Sequence, residues 1–179
     1  MRITTGKYKG KLLAMPKGIR STQEKVRKAI FDILGDVGGL SFLELFAGSG
    51  GVGLEALSRG AKEVVFVEKD RRCIEKINKN LSLLGCLGYR VIAQDAIKAI
   101  EQFNRNRQKF DIIFLDPPYY QGLSKKTLQT LCAYDILAPN GLAVVQHFKK
   151  DNLPDGVGDL ALFKQRRYGD TFLSFYKKG

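Results

Sequence analysis

The chain has 179 residues, 30 of them Lys or Arg against 18 Asp or Glu, for a net charge of +12. That length suits one domain with one sizeable core, and 44% hydrophobic with 27% charged residues excludes wholesale disorder. The longest apolar runs, such as Ile112-Ile113-Phe114-Leu115, are strand-sized and far short of the roughly 18–20 residues of a membrane span, so no membrane partner is expected.

The N-terminus interleaves Arg2, Lys7, Lys9 and Lys11 with glycines and has no apolar h-region, which argues against a secretory signal. Cys73, Cys86 and Cys132 are scattered and show no CxxC spacing. A reducing, cytoplasmic setting is expected, with neither a disulfide framework nor a metal site. Residues 1–28 hold nine basic side chains against the single acid Glu24, or +8 of the net +12. Basic residues concentrated at one end are the footprint of a polyanion binder, although a solvated, solubility-promoting tail has the same composition. Apolar Leu12-Leu13 after the Gly/Lys/Tyr stretch favours a small ordered hairpin.

Ser21-Thr22-Gln23-Glu24 reads as a capping box opening a helix over about 22–35. A basic N-terminal hairpin and helix, residues 1–37, would thus precede a main domain, residues 38–179. From there strands and helices alternate. Phe42–Phe46 is a strand followed by a glycine turn and a helix over about 52–59. Val64–Val67 leads to a helix over 70–84, and Arg90–Ala93 to one near 96–104. Phe110–Leu115 precedes a helix over about 124–134 with Ser124 as candidate N-cap. Pro139-Asn140-Gly141 reads as the turn into Leu142–Val145. Two β-like segments, 160–165 and 171–177, are joined by the turn Arg167-Tyr168-Gly169-Asp170. The pattern predicts a Rossmann-like α/β fold: a seven-stranded, mostly parallel sheet with an antiparallel C-terminal hairpin.

Gly48-Ser49-Gly50-Gly51-Val52-Gly53 fits G-x-G-x-x-G after a strand, and Glu68 lies 20 residues beyond Gly48, placed to accept ribose hydroxyls. The pattern alone fits NAD as well as S-adenosylmethionine. Glu44, in the strand feeding the loop, would repel a pyrophosphate but suit the ammonium and sulfonium charges of S-adenosylmethionine. Asp95 could accept from the adenine amino group; the plainer reading of Asp95 is a helix N-cap.

Asp116-Pro117-Pro118-Tyr119 follows a strand at its carboxyl end, where open α/β sheets bind ligands. The two prolines lock an extended turn and leave carbonyls free as acceptors. The Asp116 carboxylate and the Pro117 carbonyl could each accept one N–H of an exocyclic amine. That would draw the nitrogen toward tetrahedral geometry and aim its lone pair at a methyl donor, while the Tyr119 ring stacks on the base. No metal is needed.

Phe46-Ala47-Gly48-Ser49-Gly50 together with Asp116-Pro117-Pro118-Tyr119 resembles the class I, S-adenosylmethionine-dependent amino-methyltransferases of nucleic-acid bases. Arg2–Gly6, Lys9-Gly10-Lys11, Arg20-Ser21-Thr22, Val26–Phe31, Gly53–Ala61 and Tyr168–Thr171 are similar to the bacterial RsmD methyltransferases. That resemblance implies methylation of guanine N2 in 16S rRNA of the small ribosomal subunit or its assembly intermediate; separately, a monomer is expected. It implies that Asp116, Pro117 and Tyr119 handle the base, and that Glu44, Phe46, Gly48, Ser49, Gly50, Glu68 and Asp95 hold the cofactor, with Thr22 beside them. Arg2, Lys7, Lys9, Lys11, Arg20 and Arg27 would face RNA. The chain departs from the family pattern at Thr5, Ser21, Glu24-Lys25 and Gln146. Other readings are a DNA adenine-N6 or cytosine-N4 methylase, an NAD-dependent oxidoreductase, and an RNA-binding module without catalysis. His147, the only histidine, reads as a rim or structural residue, and Cys73 and Cys132 as small core fillers.

Overall fold

The computed structural model describes residues 1–16, 18, 22–119 and 122–179, so Arg20 and Ser21 lie outside the described residues. The chain divides into two compact units, Met1–Gln94 and Asp95–Gly179.

In the first unit, β1 (Ser41–Leu45), β2 (Glu63–Glu68) and β3 (Tyr89–Ala93) pair in parallel in the order β3-β2-β1. Phe42, Leu43, Leu45 and Val64 through Val67 are all fully buried, as expected of strands covered on both faces. Helices α1 (Glu24–Leu34), α2 (Gly51–Ser58) and α3 (Arg71–Leu84) supply the cover: Phe31 of α1 stacks on Phe42, and Ile77 of α3 packs near Gly50. The N-terminal residues do form the expected hairpin, closed by an Arg2–Leu12 bridge and by bonds from Gly10 N to Ile3 O (2.9 Å) and from Leu13 N to Met1 O (2.7 Å). It is sewn to α2, with Lys7 N on Ser58 O at 2.7 Å and Tyr8 N on Ser58 Oγ at 2.9 Å. Gly6, at φ +83°, is obligatory there, because a Cβ would sit 1.8 Å from the Ser58 carbonyl oxygen.

The second unit holds α4 (Ala96–Arg105), β4 (Phe110–Leu115), α5 (Leu123–Ala133), β5 (Leu137–Phe148), β6 (Gly156–Val157), β7 (Leu160–Tyr168) and β8 (Thr171–Lys178). Its strands run in the order β4-β5-β8-β7-β6; β4 and β5 are parallel and the other pairs antiparallel. The described strands therefore number eight, not seven. The addition, β6, is a Gly-Val edge strand of two residues, too short to leave an alternating or apolar signature.

Three local expectations are corrected. Helix α1 starts at Glu24 with Gln23 as N-cap and no side-chain cap bond, so Glu24 stands at the first helical position, not the third that a capping box requires. The N-cap of α5 is Gly122, in the left-handed region at φ +63°; Ser124 is inside the helix, buried, with its hydroxyl 3.5 Å from Asp151 Oδ2. Pro139-Asn140-Gly141 does not precede β5 but interrupts it. The β4–β5 register jumps from Phe110–Leu137 to Ile112–Leu142, and Asn140 takes φ +60° at the bulge.

Candidate active site

The glycine loop leaves β1 through an unusual residue: Phe46 adopts φ +57°, followed by Gly48 at +55° and Gly50 at +73°. A left-handed aromatic residue costs on the order of 1–3 kcal/mol and is held only where the surroundings insist. Two bonds hold the turn, Ala47 N to Val67 O (3.0 Å) and Gly50 N to Ala47 O (2.7 Å). Ser49 is buried within the loop.

Two carboxylates brace this loop from opposite sides. Glu44 is buried, and its Oε1 and Oε2 accept from the backbone N–H groups of Val52 (3.2 Å) and Gly53 (2.9 Å). It thus occupies the N-terminus of α2, where the helix dipole stabilises an anion. Glu68 closes the other side: its Oε2 accepts from Gly48 N at 2.8 Å, and its Oε1 from Lys69 N (2.7 Å) and Asp70 N (2.9 Å). A Cβ on Gly53 would lie 2.4 Å from Phe66 Cε1 and 2.7 Å from Glu44 Oε2, so only glycine lets the helix reach this carboxylate. The arrangement bears directly on the cofactor. In dinucleotide sites the helix N-terminus grips a pyrophosphate; here the Glu44 carboxylate already takes those amides, while Glu68 flanks the loop at the position of a ribose-binding acid. This pair of buried and half-buried carboxylates fits a cationic, ribose-bearing cofactor.

Thr22, the other residue expected near the cofactor, is half-buried and accepts Arg27 Nη1 on its carbonyl at 3.3 Å. Arg27 is corrected. Instead of facing RNA it is fully buried, donating to Glu55 Oε2 at 3.4 Å and to the Arg2 carbonyl. Arg2, Lys7, Lys9 and Lys11 are exposed on the hairpin. Sequence reasoning overlooked Glu55, also fully buried, which accepts from Thr4 N (2.9 Å), Thr4 Oγ1 (2.6 Å), Thr5 N (3.0 Å) and Arg59 Nε (3.2 Å). It also overlooked Gln94, just after β3, whose Oε1 is buried with no hydrogen-bond partner among the described residues.

In the second unit Asp95 caps α4, its Oδ1 accepting from Ile97 N at 3.0 Å and Lys98 N at 3.5 Å. Asp116 and Tyr119 are half-buried beyond the end of β4, Pro117 is buried and Pro118 exposed. Tyr119 is fixed at both ends. Its hydroxyl lies 2.9 Å from Thr171 Oγ1, and its ring packs 5.6 Å from Phe148, tilted by 38°. Thr171 and Phe148 are themselves partners across β5 and β8.

His147 is a structural residue. It is buried and stacked on Phe172, its Nδ1 3.1 Å from the Phe148 carbonyl and its Nε2 2.8 Å from Ser174 Oγ. A carbonyl only accepts, so Nδ1 carries the proton and neutral Nε2 accepts from the serine hydroxyl. Burial lowers its pKa in agreement with that neutral state. Cys73 is buried, and burial pushes its thiol up to about 11, which leaves it an inert filler.

The family described as Conserved hypothetical protein 95 matches residues 1–177. The chain is 32% identical over 181 residues to the protein of Escherichia coli strain K12 named ribosomal RNA small subunit methyltransferase D, covering 99% of this chain and 90% of that one. It is 35% identical over 151 residues to the Haemophilus influenzae protein of the same name, covering 82% and 78%. The solved structure of Escherichia coli yhhF superposes with a TM-score of 0.90 at 31% identity, covering 99% of this chain and 97% of that chain. The Rossmann-like α/β architecture read from the alternation of elements is the one shared with that structure.

Proposed function

Because this chain belongs to the family described as Conserved hypothetical protein 95, whose curated relatives include small-subunit rRNA methyltransferases, we propose that it is an S-adenosylmethionine-dependent methyltransferase acting on the N2 amino group of a guanine in 16S rRNA. The observation that carries the reading is the buried Glu44 carboxylate on the amides of Val52 and Gly53. It turns a loop with a nicotinamide-type sequence pattern into one that repels a pyrophosphate and welcomes an ammonium or sulfonium.

S-adenosylmethionine, when bound, supplies an electrophilic methyl group. Glu44 faces its positive charges, Glu68 takes the ribose hydroxyls, Phe46, Gly48, Ser49 and Gly50 shape the loop around it, and Asp95 accepts from the adenine amine. Thr22 completes this set.

The base falls to the tetrapeptide. The Asp116 carboxylate and the Pro117 carbonyl each accept one N–H, and the proline-fixed backbone holds both acceptors still. An amine conjugated with a purine ring is a poor nucleophile; two such bonds localise its lone pair and turn it toward the electrophile. The tethered Tyr119 ring supports the base by stacking, which requires a base outside the helical stack. Exposed Arg2, Lys7, Lys9 and Lys11 on the braced hairpin neutralise RNA phosphates. The small ribosomal subunit or an assembly intermediate is the partner, and the protein works as a monomer.

The test is nucleoside mass spectrometry of small-subunit rRNA from cells with and without the protein. The expected result is N2-methylguanosine at one position that disappears on deletion, returns with the wild-type chain and does not return with Asp116→Ala. An unchanged nucleoside profile on deletion overturns the reading.

A further inference from the structure

Gln146 is a buried polar side chain of β5 whose placement the packing of the sheet does not explain. It is 7% exposed, sits among the buried residues Val144, Val145 and His147, and its Oε1 has no hydrogen-bond partner among the described residues. Burying an amide oxygen without a donor is unfavourable, so such a group in a native site calls for an explanation.

Its position supplies one. The β4–β5 ladder pairs Phe114 with Val144 and Leu115 with Val145 in parallel. Carried one residue further, the register sets Gln146 beside Asp116, and parallel neighbours about 4.8 Å apart project to the same face. The alternation along β5 puts Gln146 on the face of Phe148, two residues on. Phe148 is the residue on which the Tyr119 ring rests. The register and the alternation thus place Gln146 on the face shared by Asp116 and by Phe148, against which Tyr119 packs, with an acceptor that has no partner among the described residues.

We propose that Gln146 is a specificity-determining residue whose Oε1 accepts the N1–H of the target guanine while Asp116 accepts from its N2 amine. The proposal rests on the guanine-N2 reading above. Guanine presents two adjacent donors, N1–H and N2–H, on its Watson–Crick edge, and two adjacent acceptors meet them. Adenine and cytosine place a lone pair, at N1 and N3 respectively, next to their amine. That lone pair would face the Gln146 oxygen, so the same acceptor that fits guanine disfavours the other two amino-bearing bases. Readout on the Watson–Crick edge is how extruded bases are identified.

The experiment uses small ribosomal subunits from cells lacking the protein, labelled S-adenosylmethionine, and the wild-type, Gln146→Leu and Gln146→Glu proteins. It reads kcat/KM, the identity of the methylated nucleoside and the melting temperature of each protein. Leu keeps the size and removes the unpaired oxygen, so a merely structural Gln146 would give an unchanged or more stable, fully active variant. The expected result is an unchanged or raised melting temperature for Gln146→Leu with kcat/KM down by about 10- to 100-fold. Gln146→Glu, which keeps an acceptor, stays within about fivefold. Wild-type production of N2-methylguanosine together with full activity of Gln146→Leu overturns the role of Gln146 alone. Wild-type methylation of some other nucleoside overturns the guanine reading, and this proposal with it.

Discussion

The Tyr119 hydroxyl and Thr171 Oγ1 lie 2.9 Å apart, a bond that ties the end of the Asp-Pro-Pro-Tyr turn to the first residue of β8. With Phe148 against its ring, Tyr119 cannot swing freely, and a stacking platform that is already fixed costs less entropy when a base arrives. Thr171→Val is isosteric and removes only the tether. It should lower kcat/KM on small subunits by about fivefold, the worth of one ordinary hydrogen bond. Tyr119→Ala removes the platform as well and should cost about 10- to 100-fold, since base–aromatic stacking is worth roughly 1–3 kcal/mol. Steady-state kinetics of both variants, with cofactor binding measured separately, checks the order.

The buried Glu55–Arg27 pair should be the most fragile polar feature of the first unit. Glu55 gathers the backbone of Thr4 and Thr5 and two guanidinium groups, and both members of the pair are sealed from water. Removing one partner leaves a buried charge uncompensated. Glu55→Leu should therefore destabilise by about 3–5 kcal/mol, and the double variant Glu55→Leu/Arg27→Met should recover much of that loss. Urea denaturation of the two singles and the double closes the cycle. Additive losses would mean that the two charges do not depend on each other.

Much of this architecture was legible beforehand, and the failures have physical causes. Runs such as Val64–Val67 announce strands because covered strands need apolar residues on both faces. The loop and the tetrapeptide announce themselves because their backbones need glycine and proline. Arg27 looked like its basic neighbours, since composition carries no burial; only the fold brings Glu55, 28 positions away, to it. Ser124 looked like a cap, but a left-handed Gly122 starts the helix two residues earlier. Glu44 was expected to serve a cofactor, and its grip on Val52 and Gly53 could not be read without the helix geometry. Gln94 left no trace and Gln146 stood out only as a departure from the family pattern, because an unpaired amide oxygen is a property of its surroundings and not of a residue type.

The exposed hairpin cations should make RNA affinity strongly salt-dependent. Arg2, Lys7, Lys9 and Lys11 ride on a backbone anchored at Ser58 and Asn80, where Ala14 N donates to Asn80 Oδ1 at 2.7 Å. Replacing Lys7, Lys9 and Lys11 by Gln should weaken binding of a single-stranded rRNA fragment and flatten the plot of log K against log salt by roughly 0.7 for each phosphate that is no longer neutralised. Cofactor affinity should not change. An unaltered salt slope would return these lysines to a solubilising role.

His147 gives a pH dependence whose sign follows from its surroundings. Burial disfavours the imidazolium and outweighs the opposing pull of the Phe148 carbonyl and the Asp151 carboxylate, so the folded pKa lies below the ordinary value of 6.5. Between the folded pKa and 6.5 the unfolded chain holds a proton that the native one does not. Its contribution to stability is thus complete above about pH 6.5 and shrinks as the pH falls through that value toward the folded pKa. Urea midpoints measured between about pH 7.5 and 5.5 should decline on the acid side. His147→Gln, which can keep a bond to Ser174 but cannot titrate, should show a shallower decline. The protonated ring would have to donate at Nε2 as well, which forces the Ser174 hydroxyl to turn away and to give up its present role as donor. An equally steep decline in the glutamine variant would assign the acid sensitivity to the carboxylates instead.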